Sequence, residues 1–416
     1  MKAKNNPKKD NMFNRTLRFL LAAGILFGML SALPVSVARA FGADRYVSTT
    51  GKDSTNCTIS AAPCKTIAYA IAQSGIASAD QIHIAAGTYH EYLTIDRPVS
   101  LIGVHENLTI IDGGLGAAQG TGGGITLVVI NSGVVATLRD LNVQNAVHPG
   151  GDGGGIYNSG TLSLVHVVVL GNTAMIGGGI FNEGSLSLSD VFISGNSASA
   201  GPGGGLFNDS PSAVNLSNVT LSNNTASGYS GGIHHQGSGP TQLTNVTFSN
   251  NTAHIGGAMT ITAVASANFI NSTITNNHKD AVAGSAVGGI ADYGTISMVN
   301  TIIYGNDDAN CGVAGTLKSL GYNIDGGATC LAPAIAQPSD HPNTNPLLGP
   351  LANNGGYVPT HALLVGSPAI DAGTNMGCPA TDERGVARPQ PAGGKCDIGA
   401  YEYIHIFNIF LPLILH

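Results

Sequence analysis

The sequence predicts an all-β protein built on a single-stranded right-handed parallel β-helix, and three observations support this prediction. First, the segment from Thr137 to Asn306 repeats one pattern: an alternating strand, a polar turn ending in Asn, and a glycine cluster. Second, the strand-end asparagines recur at intervals of 27, 24, 28, 27, 26 and 29 residues, a period typical of solenoids, whose units bury their apolar faces by stacking. Third, these units are rich in Val, Ile, Thr and Ser with period-two alternation, which favours strands over the helical segments of leucine-rich repeats. The counted asparagines are Asn145, Asn172, Asn196, Asn224, Asn251, Asn277 and Asn306.

Three short strands and three turns account for about 25 residues per coil, and coils would stack at roughly 4.8 Å. We expect the β-helix to run from about residue 45 to 330, with aliphatic side chains stacked inside. A helix over Lys65 to Gln73 is predicted to cap the N-terminal end. An irregular cap stapled by disulfides is predicted at the C-terminal end.

Two columns of residues fix the register of the predicted coils. One polar residue inside each strand block should form a ladder at a bend between two strands and satisfy backbone groups there. A glycine pair in each unit marks a column that requires unusual φ or close approach of coils. The predicted ladder is Asp140, His166, Asp190, Asn218, Asn245, Asn271 and Asn300, in which His166 breaks the Asn/Asp pattern. The glycine pairs begin at Gly154, Gly178, Gly204, Gly231, Gly256 and Gly288.

The N-terminus is typical of a secretory signal peptide. Six Lys and Arg residues precede an apolar run from Phe19 to about Val37, which Ala38-Arg39-Ala40 follows, so we expect cleavage near Phe41 and a secreted or cell-surface protein. Removing residues 1–40 leaves ten basic and 23 acidic residues, a net charge of about −13. This charge argues against nucleic acid or anionic lipid as a partner.

Six cysteines in an exported chain favour disulfides, and all six lie outside the repeats. Fifteen pairings exist, of which the local grouping favours Cys57 with Cys64, Cys311 with Cys330, and Cys378 with Cys396. These bonds would staple the two ends of the solenoid.

The N-terminal segment from Arg45 to Gly113 resembles the opening coils of secreted pectate-lyase-like and pectin-esterase-like β-helix proteins. Its Gly87-Thr88-Tyr89-His90-Glu91 matches a G-x-Y-x-E pattern of pectin esterases. The Asp, Gln and Arg motifs on which the esterase chemistry depends do not follow. We therefore interpret Tyr89 and Glu91 as turn and coil-packing residues.

Two further resemblances bear on the role of the chain. Gly256-Gly257-Ala258-Met259 and Phe248-Ser249-Asn250-Asn251 resemble the G-G-A-I and F-x-x-N repeats of polymorphic outer-membrane proteins and adhesins, which implies a surface-exposed, non-enzymatic protein. GYNIDGGATC, SPAIDAG, ATDERGVARP and KCDIGAYEY, between Gly321 and Tyr403, resemble the choice-of-anchor module at the end of exported β-helix proteins. That resemblance implies a segment that ends the solenoid and leads into surface sorting.

The charged residues of this module are predicted to form a salt-bridged cap, since arginines beside carboxylates stabilise irregular polar structure. They are Asp371, Asp382, Glu383, Arg384, Arg388, Asp397 and Glu402. The apolar tail that follows is too short for a membrane-spanning helix, which needs about 20 residues. The predicted organisation is a signal peptide (1–40), N-terminal cap and first coils (41–113), glycine/asparagine repeats (114–310), choice-of-anchor-like cap (311–403) and apolar tail (404–416).

The repeats lack the residues that polysaccharide cleavage by a β-helix would require. β-Elimination on a uronate needs a basic residue, and no Lys or Arg lies between Arg139 and Lys279. A glycoside hydrolase needs two or three converging carboxylates, whereas Asp140, Asp152, Glu183, Asp190 and Asp209 are expected in different columns or in the ladder. The sequence predicts no catalytic residue, cofactor or metal site.

A binding surface would be expected on the variable loops between each strand-end Asn and the next glycine pair. The candidate binding residues there are His148, Asp152, Tyr229, His234 and His254. The prediction is a monomeric, surface-associated β-helix for display or adhesion, with carbohydrate or cell-envelope components as partners. The alternative is a carbohydrate-binding protein or a polysaccharide-active enzyme, a lyase or hydrolase.

Overall fold

A computed structural model describes residues 42–76, 79–114, 124–281 and 287–405. The predicted signal peptide and all but the first two residues of the apolar tail lie outside these ranges. Nearly all strands belong to three sheets, whose strand pairs are parallel and join successive coils. Sheet 2 contains nine strands, which matches a β-solenoid of about nine coils. The prediction of a right-handed parallel β-helix is confirmed.

Sheet 1 has 17 strands and forms two sides of each coil. Its strands are Asp44–Val47, Asp80–Ile84, Gly87–Tyr89, Val99–Ile102, Thr109–Asp112, Val135–Gln144, Thr161–Leu170, Ser185–Ser194, Val214–Ser222, Pro240–Ser249, Ser266–Ile270, Thr273–Thr275, Thr295–Val299, Ile302–Tyr304, Thr316–Ser319, Ile324–Asp325 and His341–Pro342. Leu162 and Leu164 on one side of the bend and Val167 and Val169 on the other are buried inside the coil.

Sheets 2 and 3 complete the coils. Sheet 2 comprises Leu93–Ile95, Val128–Ile130, Ile156–Asn158, Ile180–Asn182, Leu206–Asn208, Ile233–His235, Met259–Ile261, Ile290–Asp292 and Cys311–Val313. Sheet 3 comprises Val147–Asp152, Thr173–Ile176, Ser197–Ala198, Thr225–Ala226, Thr252–Ala253 and His278–Lys279. Close coil approach explains the glycine column between them, because a Cβ on Gly154 would lie 2.5 Å from the carbonyl oxygen of Gly178.

The bend in sheet 1 lies at the predicted ladder, where all seven residues have φ between 47 and 57°. Asn and Asp tolerate this left-handed conformation better than other non-glycine residues, which explains their recurrence. Their side chains hydrogen-bond mainly to one another and, in the later coils, to the chain that follows the solenoid. Asn245, for example, donates its Nδ2 to Asn218 Oδ1 at 3.0 Å. The left-handed backbone conformation is therefore the first reason why Asn and Asp recur in this column.

A second ladder of asparagines lies inside the solenoid, at the turn after sheet 1. Asn172 donates both its backbone N and its Nδ2 to Asn196 Oδ1, each at 3.0 Å, and the same pattern repeats in later coils. Its members are Asn172, Asn196, Asn224, Asn251, Asn277, Asn306 and Asn310. Asn145 is not among them. The backbone N of Ala146 bonds Asn172 Oδ1 with a separation of 26 residues, so the first counted interval of 27 is one residue too long.

A short helix, α1 (Ile67–Gln73), packs against the first coils. Thr66 caps it by accepting the Tyr69 amide, and the carboxylate of Glu91 accepts the amides of Ile67 and Ala68 at 3.0 and 2.9 Å. The helix is two residues shorter than predicted, because Lys65 and Thr66 bond the side chain of Asp53 instead. Tyr89 is buried and donates to the Ala85 carbonyl, so it is a packing residue.

The C-terminal segment does more than end the solenoid. Residues 344–403, here called the arm, run back along the outer side of sheet 1 and contact five coils between His166 and Asn300. The arm contains an antiparallel pair, Leu348–Ala352 with Thr360–Leu363. The irregular, disulfide-stapled C-terminal segment that the sequence predicts thus extends along the flank of the solenoid.

The described residues contain three disulfides: Cys57–Cys64, Cys311–Cys330 and Cys378–Cys396. The first two lie at the N-terminal coils and at the last strand of sheet 2, as expected for end staples. Cys378–Cys396 lies within the arm, next to Asn300, so it staples the flank instead. Within the described ranges, no helix has both the length and the apolar character needed to cross a membrane.

Candidate functional site

The arm and the solenoid enclose a groove of about 490 Å³. The arm supplies one wall, sheet 1 supplies the floor through Val168 and Phe192, and a loop of the first coils supplies the opposite wall. The lining residues are His105, Glu106, Asn107, Val168, Phe192, Asn353, Gly356, Tyr357, Val358 and Pro359. A smaller cavity of about 240 Å³ lies on the far side of the same loop, beside Tyr46 and His83.

His166 lines a narrow cleft that adjoins the groove and shares Glu106, Val168, Phe192 and Tyr357 with it. Its imidazole contacts two aspartates of its own column. Its Nδ1 is 2.9 Å from Asp140 Oδ1 and its Nε2 is 3.9 Å from Asp190 Oδ2. The ring of Tyr357 stacks on the imidazole with centroids 3.7 Å apart and planes 12° apart. The His166 side chain is 21% exposed, so it keeps a solvent-facing edge.

The groove is acidic and has one carboxylate in its lining, that of Glu106. Glu106 Oε2 is buried and makes no hydrogen bond, and His105 Nδ1 lies 3.2 Å away. No Lys or Arg is among the described lining residues. At neutral pH the groove therefore favours neutral or positively charged ligands.

The chemistry of this lining fits a sugar. An exposed tyrosine ring offers an apolar face, while Glu106, Asn107 and Asn353 offer carboxylate and amide groups for hydroxyls. His166 between two carboxylates can also hold or move a proton. Among all described residues, including His166 and its two aspartates, no group of three or more His, Cys, Asp or Glu side chains is placed to hold a metal ion.

The predicted loop candidates do not converge on one site. His148 and Asp152 lie on the first strand of sheet 3, where His148 Nδ1 is 3.2 Å from Thr126 Oγ1, and burial raises the pKa of Asp152. Tyr229 and His254 belong to coils three and four units further on, about 14 Å or more away at the usual coil spacing. His254 pairs with Asp280 at 3.1 Å.

His234 was expected on the variable surface, and this expectation is wrong. It is only 4% exposed and continues a stack of Tyr157, Phe181 and Phe207 on the outer side of sheet 2. Burial lowers the pKa of its imidazole to about 4, so it is neutral at physiological pH. Tyr229 lies against it with ring centroids 5.6 Å apart.

The sequence does not identify the groove residues, because the repeat pattern places some of them in the ladder and gives the others no role. Asp140, His166 and Asp190 belong to the predicted ladder. The carboxylates of Asp140 and Asp190 both contact His166, although the sequence predicts no converging carboxylates. The signal available in the sequence was that His166 departs from the Asn/Asp pattern of its column. Tyr357 and Glu106 lie 191 and 60 residues from His166 in numbering, and no periodicity links them.

The charged cluster of the arm is structural. Arg384 Nη2 is 2.6 Å from Asp382 Oδ2, its guanidinium lies 3.5 Å from the centre of the Tyr401 ring, and Arg388 Nη1 is 3.1 Å from Glu402 Oε2. Burial raises the pKa of Asp397 to about 7, with the Glu402 charge as a second cause. These groups hold the arm together, and Arg384 also bonds the Asn354 carbonyl at 3.4 Å behind the groove wall.

Comparison with known proteins shows only distant likeness. No family model matches the chain, and no curated protein matches it. Among solved structures, a pectate lyase is 14% identical, with 88% of this chain and 97% of that chain covered and a TM-score of 0.45. A pectin methylesterase from carrot is 13% identical (67% and 88% covered, TM-score 0.38), and one from Erwinia chrysanthemi is 16% identical (72% and 92% covered, TM-score 0.34). Similarity at this level carries no information about activity.

Proposed function

We propose that the protein is an exported, surface-associated β-helix that binds a glycan in the groove between arm and solenoid, and so acts in display or adhesion. The observation that carries this proposal is the groove itself, in which Tyr357, His166 and Glu106 meet. Export is supported by the composition of residues 1–40. Surface association is supported by the resemblance of the C-terminal segment to choice-of-anchor modules.

The charge of the groove narrows the ligand class. Glu106 in its lining and Asp190 in the adjoining cleft would repel uronate polymers, and no described lining residue is a Lys or Arg. A neutral glycan, or one that carries amino groups, avoids that repulsion. The proposed ligand therefore differs in charge from pectin.

The test is binding of the purified protein to immobilised glycans of defined charge. We expect binding to neutral or amino-bearing glycans, and at least a tenfold loss of affinity in Tyr357→Ala, since one aromatic platform contributes on the order of 1–2 kcal/mol. Tyr293→Ala is the matched control, because Tyr293 is 43% exposed next to a sheet 2 strand and does not line the groove. Binding only to acidic glycans, or equal loss in both variants, contradicts the proposal.

A second candidate, a polysaccharide-active enzyme, is favoured by the contact of His166 with Asp140 and Asp190. A screen of polysaccharides for newly formed reducing or unsaturated ends tests it. His166→Asn is the decisive variant, because Asn is the common residue of that column and keeps its left-handed conformation. Release of oligosaccharides by the wild type but not by this variant would replace the display proposal with the enzyme one.

A further inference from the structure

Glu383 of the arm lies in an unusual place for a carboxyl group. Its side chain is fully buried between the arm and two coils of sheet 1. Its Oε1 is 2.8 Å from Thr220 Oγ1 and its Oε2 is 2.5 Å from Thr247 Oγ1. Asp382 and Glu402 of the same cluster are paired with arginines. The Glu383 carboxyl group instead contacts the hydroxyl groups of Thr220 and Thr247 and the backbone of Thr247.

The hydrogen-bond pattern requires a proton on Glu383. Thr220 Oγ1 is also 2.6 Å from the carbonyl oxygen of Pro359, which can only accept. A hydroxyl group has one proton, so if Thr220 donates it to Pro359, Glu383 must donate to Thr220. An ionised carboxylate has no proton to donate. Both short contacts of Thr220 are satisfied together only when Glu383 is a neutral acid.

The surrounding charges agree with this assignment. From the solenoid, Glu383 faces the neutral Thr220 and Thr247, and nearby Asn245 donates to the Thr381 carbonyl. From the arm, the adjacent Asp382 is paired with Arg384. Burial raises the pKa of Glu383 well above its ordinary value, and the Asp382 charge adds to this. The other titratable groups near this contact are His361, which burial keeps towards its neutral form, and the more distant Arg388, Asp397 and Glu402.

Glu383 is connected directly to the wall of the groove. Pro359, whose carbonyl shares the Thr220 hydroxyl, lies two residues after Tyr357, and both line the groove. If Glu383 lost its proton, Thr220 would have to turn its hydroxyl hydrogen towards the carboxylate. The Pro359 carbonyl would then lose its partner in a partly buried position, which is unfavourable.

We propose that Glu383 is a positioning residue that, as a neutral carboxylic acid, fixes the Tyr357–Pro359 wall against the solenoid and so builds the glycan groove. Loss of its proton loosens this wall and weakens ligand binding as the pH rises. The ligand-binding half of this inference rests on the proposed function. The structural half does not.

The first measurement needs no ligand. Hydrogen exchange at the amides of residues 353–360 is compared between the wild type and Glu383→Gln at the same pH, so that intrinsic exchange rates cancel. Glutamine mimics the neutral acid, with an NH₂ group to donate to Thr220 and an oxygen to accept from Thr247. We expect equal protection at about pH 5 and at least tenfold faster exchange of the wild-type arm at about pH 9. Strand Val214–Ser222 is the internal reference.

Infrared difference spectra report the proton itself. The wild type at neutral pH should show the carbonyl stretch of a protonated carboxyl group that Glu383→Gln lacks, and Glu183→Gln, which changes an exposed carboxylate, should leave that band in place. Absence of the band, or equal arm exchange in both proteins at every pH, overturns the proposal.

Ligand binding separates this proposal from the proposed function. If a glycan binds, its affinity for the wild type should fall with rising pH while that of Glu383→Gln stays constant, and a pH-independent wild-type affinity contradicts the positioning role. If the arm responds to pH but no glycan binds, the proposed function fails and the neutral acid stands.

Discussion

At the scale of single residues, the left-handed column in sheet 1 shows why the same side chains recur. A polar residue in each coil takes a conformation that costs most amino acids roughly 1–2 kcal/mol, and Asn and Asp bear it most easily. His166 takes it too, with φ of 53°. Its imidazole contacts Asp140 and stacks on the ring of Tyr357 in the arm. An asparagine has no ring for this stacking.

Asn245→Leu tests this residue-scale account. Leucine disfavours the left-handed conformation and removes the bonds from Nδ2 to Asn218 Oδ1 and to the Thr381 carbonyl. We expect the free energy of unfolding to fall by roughly 1–3 kcal/mol in denaturant titrations. Asn245→Gly, which adopts the conformation freely but makes no side-chain bonds, should lose less. Equal losses would show that backbone conformation does not select the residue.

His234 should make the protein sensitive to acid. Its folded pKa of about 4 lies below its ordinary value of 6.5, so its neutral form is favoured in the folded state. The stability linked to this residue is complete above about pH 6.5 and is lost as the pH falls through about 4. The loss should approach about 3 kcal/mol at still lower pH. Lowered pKa values at His235 and His361 act in the same direction.

His234→Phe isolates that effect, since Phe181 and Phe207 occupy the same column. We expect urea titrations at about pH 7 and pH 4 to show a smaller acid destabilisation in this variant than in the wild type. The same acid destabilisation in both proteins would mean that His234 does not contribute to it.

At the scale of elements, the arm is held to the solenoid by hydrogen bonds and by an apolar cluster, and Glu383 lies among these contacts. The folded pKa of Glu383 is raised, so its contribution to stability is complete below the unfolded value near 4.5 and is lost as pH rises towards the folded pKa. Relative to Glu383→Gln, the wild type should lose about 1.4 kcal/mol per pH unit within that window. Asp397, with a pKa raised to about 7, makes the same contribution to the pH dependence of stability in both proteins. A wild-type stability parallel to that of the variant over this range would contradict the assignment.

The Cys378–Cys396 bond staples the part of the arm that contacts Asn300. Gly373 donates to the Cys396 carbonyl, and Thr374 exchanges bonds with Asn300. Replacing both cysteines by serine frees a loop of 18 residues, which costs about 3 kcal/mol in the chain-entropy treatment. We expect faster exchange at Gly373 and Thr374 with unchanged protection inside the solenoid. Peptide mapping of the wild type without reduction should recover this pair. A uniform loss of protection in the double variant would contradict a local effect of this bond on the arm.

At the scale of the whole molecule, the repeated part of the fold could be predicted and the groove could not. The period, the alternation in Leu162 to Val169 and the bend column are local patterns that recur in every coil. The contacts of the arm are not local, since Glu383 lies 163 residues from Thr220 and 136 from Thr247. The arm has no period, so nothing in the sequence indicates which face of the solenoid it covers.

The inner asparagine ladder illustrates a second limit of the sequence. Asn172 and its equivalents follow a polar turn, which suggests solvent. Most of them are instead buried. Asn196 Oδ1, for example, accepts two N–H groups from Asn172 of the preceding coil and so needs no water. In the sequence, a repeated polar side chain that hydrogen-bonds to its equivalents in neighbouring coils cannot be told from one that faces water.

The measurement that tests the central claim most directly is an NMR titration of protein carrying ¹⁵N-labelled histidine with the glycan that binds in the array. The imidazole resonances of His166, identified by their absence in His166→Asn, should shift on ligand addition, while those of buried His234 stay in place. Shifts at His148 or His254 with none at His166 would contradict the account, because they would move the binding surface from the groove to the loops of sheet 3.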